Sequence, residues 1–390
     1  MNFQPRDHFT TTQRRLPFDC IALLLQGGGA LGAYQAGVYE ALAEAGIHPD
    51  WVAGISIGAI NAAIIAGNPP EARIDRLRDF WNQVTSAVPW GWSGTPLLDW
   101  TRSDNSRNLL NQMSAGLAAA CGATGFFSAR PILPWLQAGG TSDATSFYDT
   151  SALKTTLERL IDFDRLNAGV TRFSAGAVNV RTGNFIYFDN TTHKIRPEHI
   201  MASGALPPGF PAVEIEGEHY WDGGLVSNTP LQWVIEWGVP QDMLAFQVDL
   251  WSARGQLPRS MPEVITRHKE IQYSSRTRAS TDQFKRVQRL RRALADLLDR
   301  LPEHLSEHED VKLLSTATSH NVYNIVHLIY RARNHEAHSK DYEFSRLSMQ
   351  DHWQAGYHDA LRTLRHPEIL ARPTSPDGVF TFDLEHDGRE

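Results

Sequence analysis

Short apolar runs alternate with segments of helical periodicity along the first part of the chain. CIALLL, residues 20–25, is continuously apolar and predicts a strand buried on both faces. The apolar residues after it recur at helical spacing as far as Gly46, namely Leu31, Tyr34, Val38 and Leu42. WVAGI, residues 51–55, predicts a second buried strand, and IGAINAAIIAG predicts a small-residue helix packed against the sheet. This succession predicts a mainly parallel α/β sheet.

The middle of the chain departs from this pattern. Residues 71–87 are predicted to be helical, but residues 88–148 are rich in Gly, Ser, Pro and aromatic residues. The aromatic residues include Trp90, Trp92, Trp100, Phe126, Phe127 and Trp135. A long irregular stretch within a domain is typical of a functional cap. The alternative is a packed insertion whose aromatic side chains belong to the core.

Regular patterns return after the insertion. SALKTTLERLI predicts a helix, and TRFSAGAVNV with NFIYFDN predicts a hairpin around Thr182 and Gly183. MLAFQVDLW, residues 243–251, predicts a further strand. We therefore expect one main domain over residues 20–251, with residues 88–148 inserted in it as an aromatic-rich cap.

The last third of the chain is predicted to be a mostly helical extension, residues 252–390. Residues 252–262 resemble a linker, and residues 263–316 are predicted to be mostly helix. VYNIVHLIY, residues 322–330, is strongly apolar and rich in β-formers, so we expect it to rejoin the main sheet as a strand.

Composition and charge mainly exclude classes of protein. The 390 residues are 42% hydrophobic and 21% charged. The net charge is −7, so the chain lacks the excess of positive charge that would indicate a nucleic-acid partner. Cys20 and Cys121 are the only cysteines, which excludes a disulfide framework. The N-terminal segment lacks the apolar core of a secretory signal, and Ser56 and Asn61 interrupt the most apolar window, residues 51–67. These features predict a soluble, cytoplasmic protein.

Residues 54–58, Gly-Ile-Ser-Ile-Gly, fit the G-x-S-x-G pattern at a predicted strand-to-helix junction. A serine on such a sharp turn projects out of the sheet, and Gly54 and Gly58 avoid collisions with neighbouring backbone. The context favours Ser56 as a nucleophile. The alternative is a structural serine that caps the following helix.

A serine nucleophile needs a partner that takes its proton. Asp222 is a candidate because Gly223 and Gly224 follow it and allow a tight turn that aims the carboxylate into a site. Taken alone, Asp-Gly is more typical of a plain hairpin turn. The serine turn and the glycine-rich run elsewhere in the chain favour the catalytic interpretation.

The run LLLQGGGALG contains Gly27, Gly28, Gly29 and Gly32 and satisfies G-x-G-x-x-G. A dinucleotide site would need an acidic residue at the end of the next strand. That strand ends instead at the Gly-Ile-Ser turn. The glycines therefore favour an oxyanion hole, in which backbone amides face the oxygen that becomes negative during acyl transfer.

GGGALG, GISIG and DGG, in this order and spacing, resemble the motifs of the patatin-like phospholipase family, in its bacterial form with a C-terminal helical extension. The segments ASGALPPGF and YWDGG-x-x-x-NTP add to the resemblance. It implies a three-layer α/β/α fold and a Ser-Asp dyad without histidine that hydrolyses lipid acyl esters. Ser56 would be the nucleophile and Asp222 its proton acceptor.

The resemblance also implies that the amides of Gly28, Gly29 and Leu31 form the oxyanion hole. Gly27 and Gly32 complete the loop that binds the substrate. Many family members carry Arg or Lys where this chain has Leu31, so a fixed cation near the hole is missing and a preference for anionic headgroups is in question. Gln26 replaces the Asp of plant members, a change that we expect to matter less. We further expect the site to desolvate Asp222 and raise its pKa.

Three other features have competing interpretations. A late histidine could complete a Ser-Asp-His triad, although the glycine run lies closer to the serine than in α/β-hydrolases. The pairs His304/His308 and His335/His338 could ligate a metal, but a solvated surface is favoured. In the basic segment 285–300 the apolar residues fall on one face: Val287, Leu290, Leu294, Leu297 and, just beyond it, Leu301. Packing on the domain is favoured over docking of Arg289, Arg291 and Arg292 on a membrane.

The sequence as a whole predicts a serine lipid acyl hydrolase of phospholipase or esterase type that needs no metal or organic cofactor. An intracellular polyester depolymerase of the polyhydroxyalkanoate type would use the same ester chemistry. A non-catalytic lipid-binding or regulatory protein on the same fold is a further alternative. The expected partner is a lipid or other acyl ester, with peripheral contact at the inner membrane surface as an option, and no motif indicates an oligomeric state.

Overall fold

The structure is a computed structural model that describes residues 16–86, 104–237, 241–274, 277–305, 307–332, 336 and 339–384. The first part of the predicted insertion, with Trp90, Trp92 and Trp100, lies outside the described residues, as does the N-terminal segment in which no signal was expected. His335 and His338 also lie outside them.

The strands are, in chain order, β1 Cys20–Leu25, β2 Trp51–Ile55, β3 Gly122–Ala123, β4 Phe127–Ala129, β5 Tyr148–Asp149, β6 Arg172–Asn179, β7 Phe185–Asp189, β8 Val213–Ile215, β9 Glu218–Asp222, β10 Met243–Asp249, β11 Tyr323–Ile329 and β12 Val379–Asp383. The helices are α1 Ala33–Glu44, α2 Ile57–Ala66, α3 Pro70–Val84, α4 Asp104–Cys121, α5 Ser151–Leu160, α6 Phe163–Asn167, α7 Pro197–Ser203, α8 Leu231–Trp237, α9 Met261–Tyr273, α10 Thr277–Leu298, α11 Glu309–Ser315 and α12 Arg346–Thr363.

Nine strands form the main sheet, in the order β12-β11-β10-β1-β2-β6-β9-β8, with β7 also paired to β6. The strands from β12 to β6 are parallel, whereas β7, β8 and β9 pair in antiparallel fashion. The predicted mainly parallel sheet is thus confirmed. The segment expected to rejoin it, β11, lies between β10 and β12.

Alternate residues of the central strands enter two cores on opposite faces of the sheet. Leu23 and Leu25 of β1 belong to a large core with residues of α1, α2, α3 and α12. Ala22 and Leu24 belong to a smaller core with residues of α8 and α10. Because both faces are covered, the continuously apolar run of β1 is what the fold requires, and the expected three-layer α/β/α architecture is confirmed.

Strand β6 brings two remote parts of the chain together. Its partner β2 ends where Ile55 faces Gly176, and β9 ends where Asp222 faces Ala177. Since β7 already pairs with residues 174–178 on the other edge, β2 and β9 must share one edge of β6. They run in opposite directions and meet end to end. The residue after β2, Ser56, therefore lies beside the last residue of β9, Asp222.

The insertion is more regular than its sequence suggests. It contains α4, a helix of 18 residues, and a small antiparallel sheet of β3, β4 and β5. The helix was missed because DNSRNLLNQMSAGLAAAC has mainly small and polar residues. The aromatic residues of the insertion differ in their burial. Phe126 and Phe127 are buried, whereas Trp135 is 77% exposed.

The basic helix α10 also packs differently from the expectation. Its packed side carries Phe284, Gln288 and Ala295, whereas Leu290 and Leu297 are 65% and 59% exposed. Gln288 donates to the carbonyl of Asn321 at 2.9 Å, so a polar anchor decides which face is covered. Within the described residues, no helix combines the length and apolarity needed to cross a bilayer.

Helix α12, from the C-terminal extension, crosses α1 at a very short distance. A Cβ atom added at Gly37 would lie 1.9 Å from the carbonyl oxygen of Trp353, and one added at Gly356 would lie 2.0 Å from that of Tyr34. The Tyr34 hydroxyl donates to Asp359 at 2.8 Å across the same contact. The extension is thus joined to the first helix of the main domain by backbone contact, which only glycine permits.

We predict that Gly37→Ala and Gly356→Ala each lower the free energy of unfolding by about 1–3 kcal/mol or more, because the helices must separate. Chemical denaturation monitored by circular dichroism measures this. Gly116→Ala is the matched control, since Gly116 is exposed in α4 with open space around its Cβ position. It should raise stability by ~0.5–1 kcal/mol. Equal effects at the three positions would contradict the close approach.

Candidate active site

Ser56 occupies a strained turn between β2 and α2. Its φ of 57° and ψ of −125° are unusual for a residue with a side chain. A Cβ atom at Gly54 would lie 2.2 Å from the carbonyl oxygen of Gly58, and one at Gly58 would lie 2.2 Å from that of Leu25. The two glycines therefore permit the tight turn, and Ser56 is left partly exposed in an otherwise buried segment.

Ser203 holds this turn in place from the end of α7. Its hydroxyl accepts a hydrogen bond from the Ser56 amide at 3.0 Å and donates to the carbonyl of Gly176 at 2.6 Å. Two residues later, the carbonyl of Ala205 accepts the amide of Asp222 at 3.0 Å. Sequence reasoning gave Ser203 no role, although it lies in the ASGALPPGF segment. That segment positions both candidate catalytic residues.

Asp222 is buried beside Ser56. Its carboxylate accepts the amide of Gly224 at 2.7 Å, within a short 3₁₀ turn that replaces a plain hairpin. Gly223 packs against the carbonyl of Gly176. Burial raises the pKa of Asp222 from 3.8 to about 7, against the opposing effect of the Ser56 hydroxyl and the Gly224 amide. The burial agrees with the expected desolvation, and a carboxyl group with this pKa can exchange a proton near neutral pH.

The glycine loop presents two amides beside Ser56. Within the described residues, the N–H groups of Gly28 and Gly29 have no acceptor in the protein. The amide of Ala30 donates to the carbonyl of Asp341 at 2.8 Å, and that of Leu31 donates to the carbonyl of Gly28 at 3.2 Å. The Leu31 amide, expected in the oxyanion hole, is therefore already engaged in the turn of residues 29–32.

Gly27, Gly28 and Gly29 line the cavity at Ser56, whereas Leu31 and Gly32 do not. The Leu31 side chain is fully buried in the large core, and Gly32 packs against Ile57. Gly29 has a φ of +56°, and a Cβ atom there would lie 2.1 Å from the Asp341 carbonyl oxygen. The loop thus needs glycine at this position because of its backbone conformation and its neighbour.

A buried amide network fixes the strand end that precedes the loop. The Gln26 side-chain oxygen accepts the amides of Leu250 and Trp251 at 2.6 and 3.0 Å, and its nitrogen donates to the carbonyl of Tyr273 at 3.1 Å. Asn228 donates to the carbonyls of Gly27 and Tyr273 at 3.1 and 2.9 Å. Gln26, whose difference from plant members we expect to matter less, thus joins β1 to the extension. The NTP segment was the available signal for Asn228.

A cavity of about 450 Å³ opens at Ser56 and Asp222. Its wall is mainly apolar, with aromatic side chains from the insertion and from the extension, among them Phe126, Phe127, Tyr148, Phe210, Tyr273 and Phe344. Within the described residues, the charged groups that line it are Asp222 and Asp341. Lys269 binds both oxygens of Asp341, at 2.8 and 2.9 Å. The site is thus a mainly apolar cavity whose wall includes Ser56 and the buried carboxylate of Asp222.

The alternatives that involve histidine have no counterpart in this cavity. Among the described residues, no histidine lines it, and no three His, Cys, Asp or Glu side chains are grouped as for a metal. His308 instead caps α11 and lies 3.5 Å from Asp310, and His304 is exposed.

Comparison with known proteins agrees with this geometry. The sequence model of the patatin-like phospholipase family matches residues 23–235, more than half of the chain. The chain belongs to the patatin-like phospholipase family. A second model, described as patatin phospholipase, matches residues 271–376. The C-terminal extension that reaches the cavity is thus also a family feature of this patatin-like chain.

The individual relatives match over short stretches. Patatin-like phospholipase domain-containing protein 7 of Rattus norvegicus is 41% identical over 81 residues, which cover 20% of this chain and 6% of that protein. Lysophospholipase nte1 of Aspergillus terreus is 50% identical over 58 residues, 15% of this chain and 4% of the fungal protein. The crystal structure of VipD from Legionella pneumophila is 15% identical, with a TM-score of 0.39, and the match covers 95% of this chain and 72% of that chain.

The raised pKa of Asp222 predicts a pH-dependent cost to folding. Because the folded state binds this proton more tightly than the unfolded chain, the proton's contribution to stability is present below about pH 4 and is lost as the pH rises through about 7. Asp222→Asn has no such titration. The free energy of unfolding of the variant, relative to that of the native protein, should therefore increase by up to roughly 4 kcal/mol between pH 4 and pH 8.

Urea denaturation at several pH values measures this difference, and groups that titrate in both proteins cancel. Asp341→Asn is the control, since it also removes a carboxylate that lines the cavity but one that Lys269 neutralises. A difference between native protein and Asp222→Asn that stays constant with pH would show that Asp222 is not desolvated.

Proposed function

We propose that this protein is a serine lipid acyl hydrolase in which Ser56 and Asp222 form a catalytic dyad. The observation that carries the proposal is the position of Ser56 beside a buried carboxylate whose pKa is about 7, in the wall of an apolar cavity. A serine hydroxyl reacts only when a base accepts its proton, and a base works best with a pKa near the working pH. Membership of the patatin-like phospholipase family supports the reaction class.

In the first half of the reaction, the Ser56 oxygen attacks the ester carbonyl carbon while the Asp222 carboxylate takes the hydroxyl proton. The carbonyl oxygen becomes negative and accepts hydrogen bonds from the free N–H groups of Gly28 and Gly29. When the bond from carbon to the leaving oxygen breaks, Asp222 gives its proton to that oxygen. The products are an alcohol and an acyl group on Ser56.

In the second half, Asp222 acts again as the base. A water molecule attacks the acyl carbon and passes a proton to the Asp222 carboxylate, and the same two amides hold the oxyanion. The bond from carbon to the Ser56 oxygen then breaks, and that oxygen recovers the proton from Asp222. The acyl group leaves as the acid, and the dyad returns to its starting state.

The cavity favours acyl esters with neutral or zwitterionic headgroups. Its apolar wall suits an acyl chain, and the charged groups described along it are two aspartates. Lys269 is bound to Asp341, and the position that carries Arg or Lys in many family members is Leu31, buried in the core. A headgroup with a net negative charge near Ser56 would therefore face Asp222 without a compensating cation, whereas the ammonium group of a zwitterionic headgroup supplies one.

A fluorophosphonate probe tests the dyad. We expect it to label the native protein, with a rate that rises with pH through about 7 because Asp222 must be deprotonated, and to leave Ser56→Ala unlabelled. Hydrolysis of a short p-nitrophenyl ester should fall roughly 10⁴-fold or more in Ser56→Ala.

Ser142→Ala is the control, because Ser142 is an exposed hydroxyl in the insertion. In Asp222→Asn, the acidic limb near pH 7 should disappear together with most of the activity. Labelling that does not depend on Ser56 would support the non-catalytic, lipid-binding interpretation. An unchanged acidic limb in Asp222→Asn would remove Asp222 from the mechanism.

Headgroup preference tests the charge argument. We expect diacylglycerol and phosphatidylcholine to be hydrolysed with a kcat/KM at least roughly tenfold above that of phosphatidic acid with the same acyl chains, in micelles of a neutral detergent. Asp341→Asn should lower the ratio of kcat/KM for the neutral and zwitterionic lipids to that for phosphatidic acid. The substitution frees Lys269 from Asp341, so that its ammonium group can offset the charge of an anionic headgroup. Equal or faster hydrolysis of the anionic lipid by the native protein would contradict the proposal, and a hydroxyalkanoate oligomer in the same panel tests the polyester alternative.

A further inference from the structure

The insertion carries two sets of exposed apolar residues. Leu109, Met113 and Leu117 recur at helical spacing on α4, and Ile132, Leu133, Trp135 and Leu136 lie in the loop between β4 and β5; we refer to these seven residues as the cap surface. Trp135 and Leu136 are 77% and 76% exposed. Large apolar side chains grouped on a surface indicate an interaction site, whereas single ones do not.

The segment that carries the cap surface is almost free of charged residues. Between residues 108 and 142 the single charged residue is Arg130. Its side chain is mostly buried and forms an ion pair with Asp143. A surface with few charges has little electrostatic attraction to an anionic partner and loses little on leaving water. The partner that suits such a surface is an apolar environment bordered by groups without net charge.

The insertion also forms part of the cavity wall. Ala119, on the helix that carries Met113 and Leu117, lines the cavity. The Tyr148 hydroxyl donates to the carbonyl of Ala119 at 2.8 Å, and the Tyr148 ring also lines the cavity.

The loop residues connect to the cavity through Phe147. The Trp135 ring packs edge-on against Phe147, with 5.4 Å between ring centroids. The amides of Phe147 and Tyr148 donate to the carbonyls of Pro208 and Gly209, at 3.2 and 2.9 Å, and these two residues line the cavity. An object that covers Trp135 and its neighbours would therefore lie beside this part of the cavity wall.

We propose that the cap surface docks on a zwitterionic lipid bilayer and places the cavity entrance against it. The proposal rests on the proposed function, because a lipid acyl ester is supplied by such a bilayer. Trp135 enters the interface, where an indole can bury its ring and keep its N–H near polar headgroups. The leucines and Met113 enter the outer acyl region. Binding depends on apolar contact and is insensitive to salt.

Helix α10 offers the competing surface, and its arrangement favours the cap surface. Arg289 faces Asp377, and Arg292 donates to the carbonyl of His320, so two of its arginines are engaged within the protein. The exposed Leu290 and Leu297 lie on a helix that packs beside the start of β11, the end of the sheet opposite Ser56. A membrane on that face would not meet the cavity entrance.

Flotation with phosphatidylcholine vesicles tests the proposal, with all proteins carrying Ser56→Ala so that binding is separate from catalysis. We expect the parent protein, Ser56→Ala, to float with the vesicles to the same extent at about 50 mM and about 500 mM salt. Trp135→Ser/Leu136→Ser should weaken binding about tenfold or more. Leu290→Ser/Leu297→Ser is the matched control, because it also replaces two exposed apolar residues by serine. It should bind as the parent does, because α10 is not part of the cap surface.

In the active background, Trp135→Ser/Leu136→Ser should hydrolyse a soluble short ester at the native rate and lose activity on vesicles. Quenching of Trp135 by brominated phosphatidylcholine, taken as the difference from Trp135→Phe, should show that the ring enters the bilayer. Equal flotation of the cap variant and the parent, or loss of binding in the α10 variant instead, would overturn the proposal. Docking without any hydrolysis would support the proposal and refute the proposed function.

Discussion

The end-to-end meeting of β2 and β9 on one edge of β6 is the constraint on which the site depends. It places Ser56 beside Asp222 without a long loop from either strand. Because the meeting point is inside the sheet, the carboxylate is buried, and burial raises its pKa. The strained turn at Ser56 and the anchors from Ser203 and Ala205 hold the two groups together. One feature of sheet register thus sets both the position and the proton affinity of the candidate base.

The sequence predicts the parts of the structure that depend on local pattern. The strands β1 and β2 are continuously apolar because both faces are covered, and Gly54 and Gly58 mark the turn at Ser56. The insertion is less predictable, since α4 consists mainly of small and polar residues. In α10 the leucine-rich face stays exposed, because Gln288 hydrogen bonds on the other side. Periodicity identifies a helix more reliably than it identifies the face that packs.

The parts of the site that sequence missed depend on partners far apart in the chain. Ser203 binds the Ser56 amide, and Gln26 binds Tyr273 and Trp251, contacts that no local pattern indicates. The Leu31 amide was expected to face the substrate, but a 3₁₀ turn uses it within the loop. The motifs therefore located the candidate reacting groups, whereas the hydrogen bonds that orient them required the three-dimensional structure.

The carbonyl of Asp341, which accepts the amide of Ala30, has a consequence for how the protein is made. The glycine loop leaves the ribosome before its partner, which follows about 300 residues later. Tyr342 and Phe344, close to Asp341 in the chain, contribute to the cavity wall. A nascent chain that stops before this segment has Ser56 and Asp222 but lacks the support of the glycine loop. Biosynthesis therefore completes the candidate site only after residues 341–344 have been made.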